Sequence, residues 1–222
     1  MSASRNDRSL VAFLIEQGVL AFGDFTLKSG RRSPYFFNLG ALNTGSALAR
    51  LGAAYAERIR RLDVPFDVVF GPAYKGIPIA VSTAEALAAL GGDVGWAFNR
   101  KEAKSHGEGG LFVGADVSGR VMLVDDVLTA GTAVREAAAL IGSAGAAIAG
   151  VVIALDRQER VAPNSGETAV SALELELGAP VVSILKLQDV IEYLDLDVDR
   201  DKHRAELIRE MKRYRDEHCV LN

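Results

Sequence analysis

Val121-Met-Leu-Val-Asp-Asp-Val-Leu-Thr-Ala-Gly-Thr-Ala133 decides the fold of this chain. Four apolar residues run without a break into two adjacent carboxylates, Asp125 and Asp126, and a short turn of small residues follows. An unbroken apolar run suits a central parallel strand covered on both faces. Beyond Ala133, residues Val134, Ala137, Ala138 and Ile141 recur at the spacing of a packed helix. The order is strand, acidic pair, tight turn, helix. In an open α/β sheet, ligands sit at such strand ends.

The turn suits a phosphate. Backbone N–H groups at a helix start are unpaired and carry the positive end of the helix dipole, so an anion is favoured there. Thr129 and Thr132 offer hydroxyl donors, and Gly131 lets the backbone bend. This is not a Walker A loop, because no Lys-Ser/Thr follows the glycine, and the Gly-x-Gly-x-x-Gly pattern is absent as well. Carboxylates only accept hydrogen bonds, so Asp125 and Asp126 suit a ribose diol or a magnesium-bound water beside that phosphate. The plainer alternative is that the acids end a strand and cap the next helix. The coincidence of apolar approach, acids and small-residue turn favours function.

Working outward, strands alternate with helices. Ser9–Gln17 reads as a helix stopped by Gly18, and 21–38 as a hairpin-like flap. Helices are expected over 46–61, 76–90, 132–143, 168–177 and around 202–215. Strands are expected over 68–71, 94–98, 148–155 and 181–185. Such alternation predicts an α/β fold, a parallel sheet wound with helices on both faces. A small N-terminal flap over about 18–40 joins a single domain spanning 1–222.

The totals set limits. A chain of 222 residues supports one well-buried domain. A net charge of −4 gives no global pull toward nucleic acid or membrane, so phosphate binding must come from local arrangements. One cysteine, Cys219, excludes an internal disulfide framework and fits a reducing compartment. The N-terminus has no signal-peptide core, and the longest apolar run, 144–155, is too short to span a bilayer. A cytoplasmic location is expected.

Four further segments carry candidate chemistry. Asn99-Arg-Lys-Glu-Ala-Lys-Ser-His-Gly-Glu-Gly-Gly110 clusters Arg100, Lys101, Lys104 and His106 in a Gly-rich stretch expected to lack regular structure. It is either a lid closing over a polyanion or a solvated surface loop. Gly71-Pro-Ala-Tyr-Lys-Gly-Ile77 is another strand-to-helix junction, where Lys75 binds diphosphate oxygens or points to water. In Leu155-Asp-Arg-Gln-Glu-Arg160, Arg157 suits a two-pronged contact with a substrate carboxylate, or a salt bridge to Asp156 or Glu159. Phe36 and Phe37 are adjacent in a strand, so they face opposite ways and only one need be core.

Residues 121–133 resemble the phosphoribosyl diphosphate signature of the type I phosphoribosyltransferases. The basic loop, the Tyr74-Lys75 pair and Leu27-Lys-Ser-Gly-Arg-Arg-Ser-Pro-Tyr-Phe-Phe-Asn38 resemble the orotate-specific members of that family. The resemblance runs from the flap to Arg157. It implies transfer of a 5-phosphoribosyl group from 5-phosphoribosyl 1-diphosphate to orotate, giving orotidine 5′-monophosphate and diphosphate, in pyrimidine synthesis. It matches Lys28, Tyr74, Lys75, Arg100, Lys101, Lys104, His106, Asp125, Asp126, Val127, Leu128, Thr129, Ala130, Gly131, Thr132 and Ala133 to phosphoribosyl diphosphate. Phe36, Phe37, Thr129 and Arg157 are matched to orotate. Lys104, His106, Asp125 and Asp126 are implied to be catalytic. Magnesium is implied as the cofactor, held mainly through the substrate, with Asp125 and Asp126 as the protein positions for it. A homodimer sharing loop 100–114 across its interface is implied as well. Ser105 departs from the acid found there in many bacterial members.

Two competitors make different demands. A transferase for another base would not need Arg157 and the flap aromatics, which favour an acidic pyrimidine. A regulatory relative binding nucleic acid should carry a basic surface or an added helix-turn-helix, and this chain is mildly acidic.

Overall fold

A computed structural model describes residues 5–27, 30–104, 110–128, 131–196 and 202–220. The chain divides into two compact units. The first comprises Met1–Leu42, Leu155–Ala169 and Leu185–Asn222; the second comprises Asn43–Ala154 and Val170–Ile184.

The second unit is built on a six-stranded sheet. Its strands are β3 (Val68–Phe70), β4 (Gly95–Lys104), β5 (Gly110–Gly114), β6 (Arg120–Val127), β7 (Ala147–Asp156) and β8 (Val181–Lys186), the last two running on into the first unit. The spatial order is β5-β4-β3-β6-β7-β8, with β3 parallel to both β4 and β6. The apolar runs foretell these positions. Val68, Val69 and Phe70 are buried, as are Val121–Val124 and Val151–Leu155, because strands covered on both faces cannot alternate. Helices α2 (Gly45–Leu62), α3 (Gly76–Ala89), α4 (Thr132–Ser143) and α5 (Ala169–Leu177) flank the sheet.

Residues 99–114 were expected to lack regular structure, but the described ones, 99–104 and 110–114, lie in paired strands. β4 continues through Lys104 and pairs antiparallel with β5, from Ala97↔Gly114 to Lys104↔Gly110, with a register irregularity between. Leu111-Phe112-Val113 has strand-forming side chains, and Phe112 packs edge-on against Phe70 at 5.8 Å between ring centroids. The sheet is therefore mixed at this edge.

α2 starts under a Thr44 cap, whose hydroxyl accepts from Ala47 N at 3.3 Å. It packs on α3 with no spare room, since a Cβ added at Gly52 would stand 2.3 Å from the Ser82 carbonyl oxygen.

In the first unit, α1 (Arg5–Glu16) leads into an antiparallel hairpin of β1 (Leu20–Thr26) and β2 (Arg32–Phe37). This is the expected flap. Two helices, α6 (Leu187–Asp195) and α7 (Lys202–His218), complete the unit. α6 follows β8 directly, and its start is capped by Asp189, which accepts from Lys186 N at 2.7 Å. Tyr214 of α7 meets Tyr35 of β2 edge-on at 5.9 Å.

Candidate active site

β6 delivers its acids where regular pairing with β3 has ended: the last β3 partner is Leu123, two residues before Asp125. Asp125 is 7% exposed, and its backbone carbonyl accepts a 2.7 Å hydrogen bond from the buried Tyr55 hydroxyl of α2. Burial pushes its carboxyl up to about 6, and the neighbouring Asp126 charge adds to that. The Asp126 N–H and the Lys75 ammonium pull the other way. Asp126 is tied at both oxygens. Oδ1 accepts from Val127 N at 2.6 Å and Oδ2 from Lys75 Nζ at 2.7 Å.

Lys75 belongs to the Gly71–Gly76 turn between β3 and α3. This turn is closed by Gly76 N donating to Pro72 O at 3.0 Å, and the Ala73–Tyr74 peptide is cis. Only glycine fits at its ends, because a Cβ on Gly71 would lie 1.9 Å from Gly76 O. Asn99 of β4 braces the turn by accepting from Ala73 N at 3.1 Å. Lys101 sits over the exposed Tyr74 ring, 4.7 Å from its centroid. Arg100 has a buried Nε without a partner among the described residues. Three segments thus converge in this unit: the β6 acids, the 71–76 turn and the basic end of β4.

The fourth segment is the turn into α4. Gly131 caps that helix in the left-handed conformation, φ 70°, without any side-chain cap bond, so the N–H groups of the first turn face outward for an acceptor. Thr132 and Ala133 are exposed there, while Leu128 is buried and anchors the approach. Arg135 lies close over Gly131 and pairs with Glu176 at 2.6 Å. Thr129 and Ala130 lie outside the described residues, as do Lys28, Ser105 and His106; for Lys104 the described part is its place at the end of β4.

Phe36, Phe37 and Arg157, three of the residues matched to orotate, lie in the first unit. Phe36 is 44% exposed and stacks on Phe25 at 5.5 Å, while Phe37 is buried, so the strand alternation sends one ring out and one in. Arg157 follows β7. Its Nη2 pairs with Glu159 at 2.8 Å, and its guanidinium lies 5.0 Å from the centroid of the buried Tyr35 ring. Of the two carboxylates open to it from sequence, Glu159 is the partner, and Asp156 instead accepts from Gln158 N. Glu159 also accepts from Arg31 at 2.8 Å and from Tyr214 at 2.5 Å. Burial alone would lower the Arg157 pKa, but Tyr35, Glu159 and Tyr214 outweigh it and hold it above the ordinary arginine value. Arg157 Nε is buried with no partner among the described residues, leaving a donor for a ligand oxygen.

Tyr55 and Asn99 are the residues that reading the sequence missed as supports. Tyr55 had a faint signal, because it shares the apolar face of α2 with Leu51 and Ile59, and a hydroxyl buried there needs an acceptor. Asn99 had none beyond its place before the cations.

Among the described residues no group of three or more His, Cys, Asp and Glu could hold a metal ion, and no helix is long and apolar enough to cross a membrane.

Residues 38–176 match the family model described as a phosphoribosyl transferase domain. An orotate phosphoribosyltransferase of Pseudomonas aeruginosa is 57% identical over 198 residues, covering 88% of this chain and 92% of that relative. The crystal structure of the orotate phosphoribosyltransferase of Francisella tularensis superposes with a TM-score of 0.82 at 41% identity, over 95% of this chain and 99% of that one. The Mycobacterium tuberculosis orotate phosphoribosyltransferase in complex with 5-phospho-α-D-ribosyl 1-diphosphate gives 0.62 at 26% identity, over 83% of this chain and 98% of that one.

Proposed function

The chain belongs to the phosphoribosyltransferases and, among them, to the orotate phosphoribosyltransferases, and from that premise we propose how its residues divide the work. The reaction joins orotate to the 5-phosphoribosyl group of 5-phosphoribosyl 1-diphosphate, releasing diphosphate, as a step of pyrimidine biosynthesis. A ring nitrogen displaces diphosphate at the anomeric carbon, through an oxocarbenium-like state with inversion, so the protein's tasks are positioning and charge stabilisation.

In this reading Asp125 and Asp126 orient the ribose hydroxyls. The 129–133 turn grips the 5′-phosphate through N–H groups at the start of α4. Lys28, Tyr74, Lys75, Arg100 and Lys101 hold the diphosphate, and Lys104 and His106 stabilise its departure and protonate it. Phe36, Phe37, Thr129 and Arg157 receive orotate, with Arg157 taking the carboxylate. The observation that carries the reading is the paired, part-buried acid couple at the end of β6, answered by Lys75 at 2.7 Å and followed by a helix start with no side-chain cap bond.

Magnesium is the proposed cofactor. Two adjacent carboxylates, with no larger donor cluster among the described residues, suit an ion carried chiefly by diphosphate and ribose oxygens. Asp125 and Asp126 would hold it from the protein side, and its chemistry there is to neutralise charge on the leaving diphosphate. We further propose a cytoplasmic homodimer in which the 100–114 segment serves the neighbouring subunit's site.

The fall in orotate absorbance with phosphoribosyl diphosphate, run with and without a chelator and with uracil and hypoxanthine in parallel, tests substrate and metal together. Turnover that survives chelation would remove magnesium from the reading. Lys104→Ala should slow turnover far more than it weakens orotate binding. Mixing Lys104→Ala with Arg157→Ala subunits tests sharing. Random pairing should restore roughly a quarter of wild-type activity if the segment crosses the interface, since half the dimers are mixed and each carries one intact site. No recovery would place the segment in its own subunit's site.

A further inference from the structure

We propose that Tyr55, on helix α2, is a positioning residue for the acidic pair, and that α2 and α3 together act as one clamp on both acids. The inference rests on the reading that Asp125 and Asp126 hold the ribose of phosphoribosyl diphosphate. Tyr55 is fully buried, and its hydroxyl donates to the Asp125 carbonyl at 2.7 Å, 70 residues away in sequence. Asp126 is held from the other helix. Lys75, immediately before α3, reaches its Oδ2 at 2.7 Å.

The two helices cannot move independently. Gly52 lies one helical turn before Tyr55, and any Cβ there would stand 2.3 Å from Ser82 O and 2.8 Å from Ser82 Cβ. At such an approach the backbones themselves are in contact, with no side chain between them to yield. A shift of α2 would therefore carry α3 and its preceding turn with it. Both acids would lose their outer partners together.

The Tyr55 bond also has a particular target. It grips the main chain of the acid, not its carboxylate, so it fixes where the Asp125 side chain begins without consuming an acceptor lone pair needed by a ligand. In a buried place the carbonyl has no water to fall back on, so loss of the hydroxyl leaves a polar group to find a new partner by moving. The acid's direction is what that movement would alter.

The test compares Tyr55→Phe with Ile59→Val, a core change one turn further along the same helix that removes no polar contact. Thermal unfolding identifies the stability loss of each, and steady-state kinetics give both Michaelis constants. Tyr55→Phe should raise KM for phosphoribosyl diphosphate by roughly three- to tenfold, the span of one lost buried hydrogen bond, with KM for orotate unchanged. Ile59→Val should lower the melting temperature and leave both constants in place. If Tyr55→Phe changes only the melting temperature, or shifts both constants alike, the hydroxyl is a structural bond only and the proposal falls. Asp125→Asn and Asp126→Asn, measured in parallel, separate the two layers. If they leave phosphoribosyl diphosphate kinetics intact, it is the role of the acids that fails.

Discussion

Lys75 Nζ and Asp126 Oδ2 stand 2.7 Å apart across 51 residues of sequence, joining the turn before α3 to the end of β6. The lysine is half exposed and the acid only 13% exposed. An ammonium has three donors, so Lys75 can keep its bond to Asp126 and still donate to a diphosphate oxygen. Lys75→Met should accordingly raise KM for phosphoribosyl diphosphate several-fold, leave KM for orotate unchanged, and cost little stability, because a partly solvated pair contributes little. Steady-state kinetics with each substrate varied in turn would decide, and an orotate-selective defect would contradict the assignment.

Activity and stability should respond oppositely to acid. Asp125 titrates at about 6 in the folded chain against an ordinary value of 3.8. Between these values the folded protein binds the proton more tightly than the unfolded chain. This group's contribution to stability is therefore complete below 3.8 and is lost as pH rises through 6. On the proposed role of Asp125 the reaction uses the carboxylate, so kcat/KM should fall below pH 6. Asp125→Asn should raise the melting temperature at pH 7.5 while removing activity. A melting temperature lowered by that change would show that the ionised acid is stabilised in the fold by more than the contacts described.

Gly71 should tolerate no side chain. An alanine Cβ would overlap the Gly76 carbonyl at 1.9 Å, and backbone cannot rotate away as a side chain can. Gly71→Ala should cost about 1–3 kcal/mol by overpacking, with loss of phosphoribosyl diphosphate binding beyond what the stability loss explains. Denaturant unfolding and ligand titration measure the two effects separately.

Arg157→Ala should chiefly raise KM for orotate. It also strips one of the three donors from Glu159, leaving Arg31 and Tyr214. Some loss of stability should therefore accompany the binding defect. Arg157→Lys, which keeps charge but not the planar fork, should restore stability better than it restores orotate affinity. A selective loss of phosphoribosyl diphosphate affinity would refute the role.

The Cys219 thiol should be inert. It is buried, burial and the Glu159 charge push it up to about 12, and its Sγ leans on the Arg157 carbonyl at 3.4 Å. A thiol reagent at pH 8 should label the protein only as fast as it unfolds. Rapid labelling of the folded protein would show that this corner opens locally.

The order of the core strands and their flanking helices was legible because each core strand carries its own apolar run, as Val121–Val124 does; α6, directly after β8, was not among the expected helices. Adjacent phenylalanines likewise disclosed their opposite faces. What stayed hidden depends on partners distant in sequence. Nothing near Arg157 says that Tyr35 will lie under it or that Arg31 will share its acid. Nothing near Asp125 points to Tyr55. The hairpin of β4 and β5 was obscured for a different reason: its cations and glycines read as a solvated loop, while the strand character sits in Leu111–Val113 and shows only once β4 is there to pair with it.

The first unit draws together chain segments that are synthesised far apart. Arg31 and Glu159 meet across 128 residues, and Tyr35 packs against Tyr214 near the other end of the chain. During synthesis, α1 and the β1–β2 hairpin are made long before α6, which packs on α1, and α7, which packs on β2, so their buried faces wait for those helices. Most of the second unit, 43–154, is contiguous and can collapse during that interval. The flap aromatics are therefore the surface most in need of protection in the nascent protein, and the closing of long loops in this unit sets a late step in its maturation.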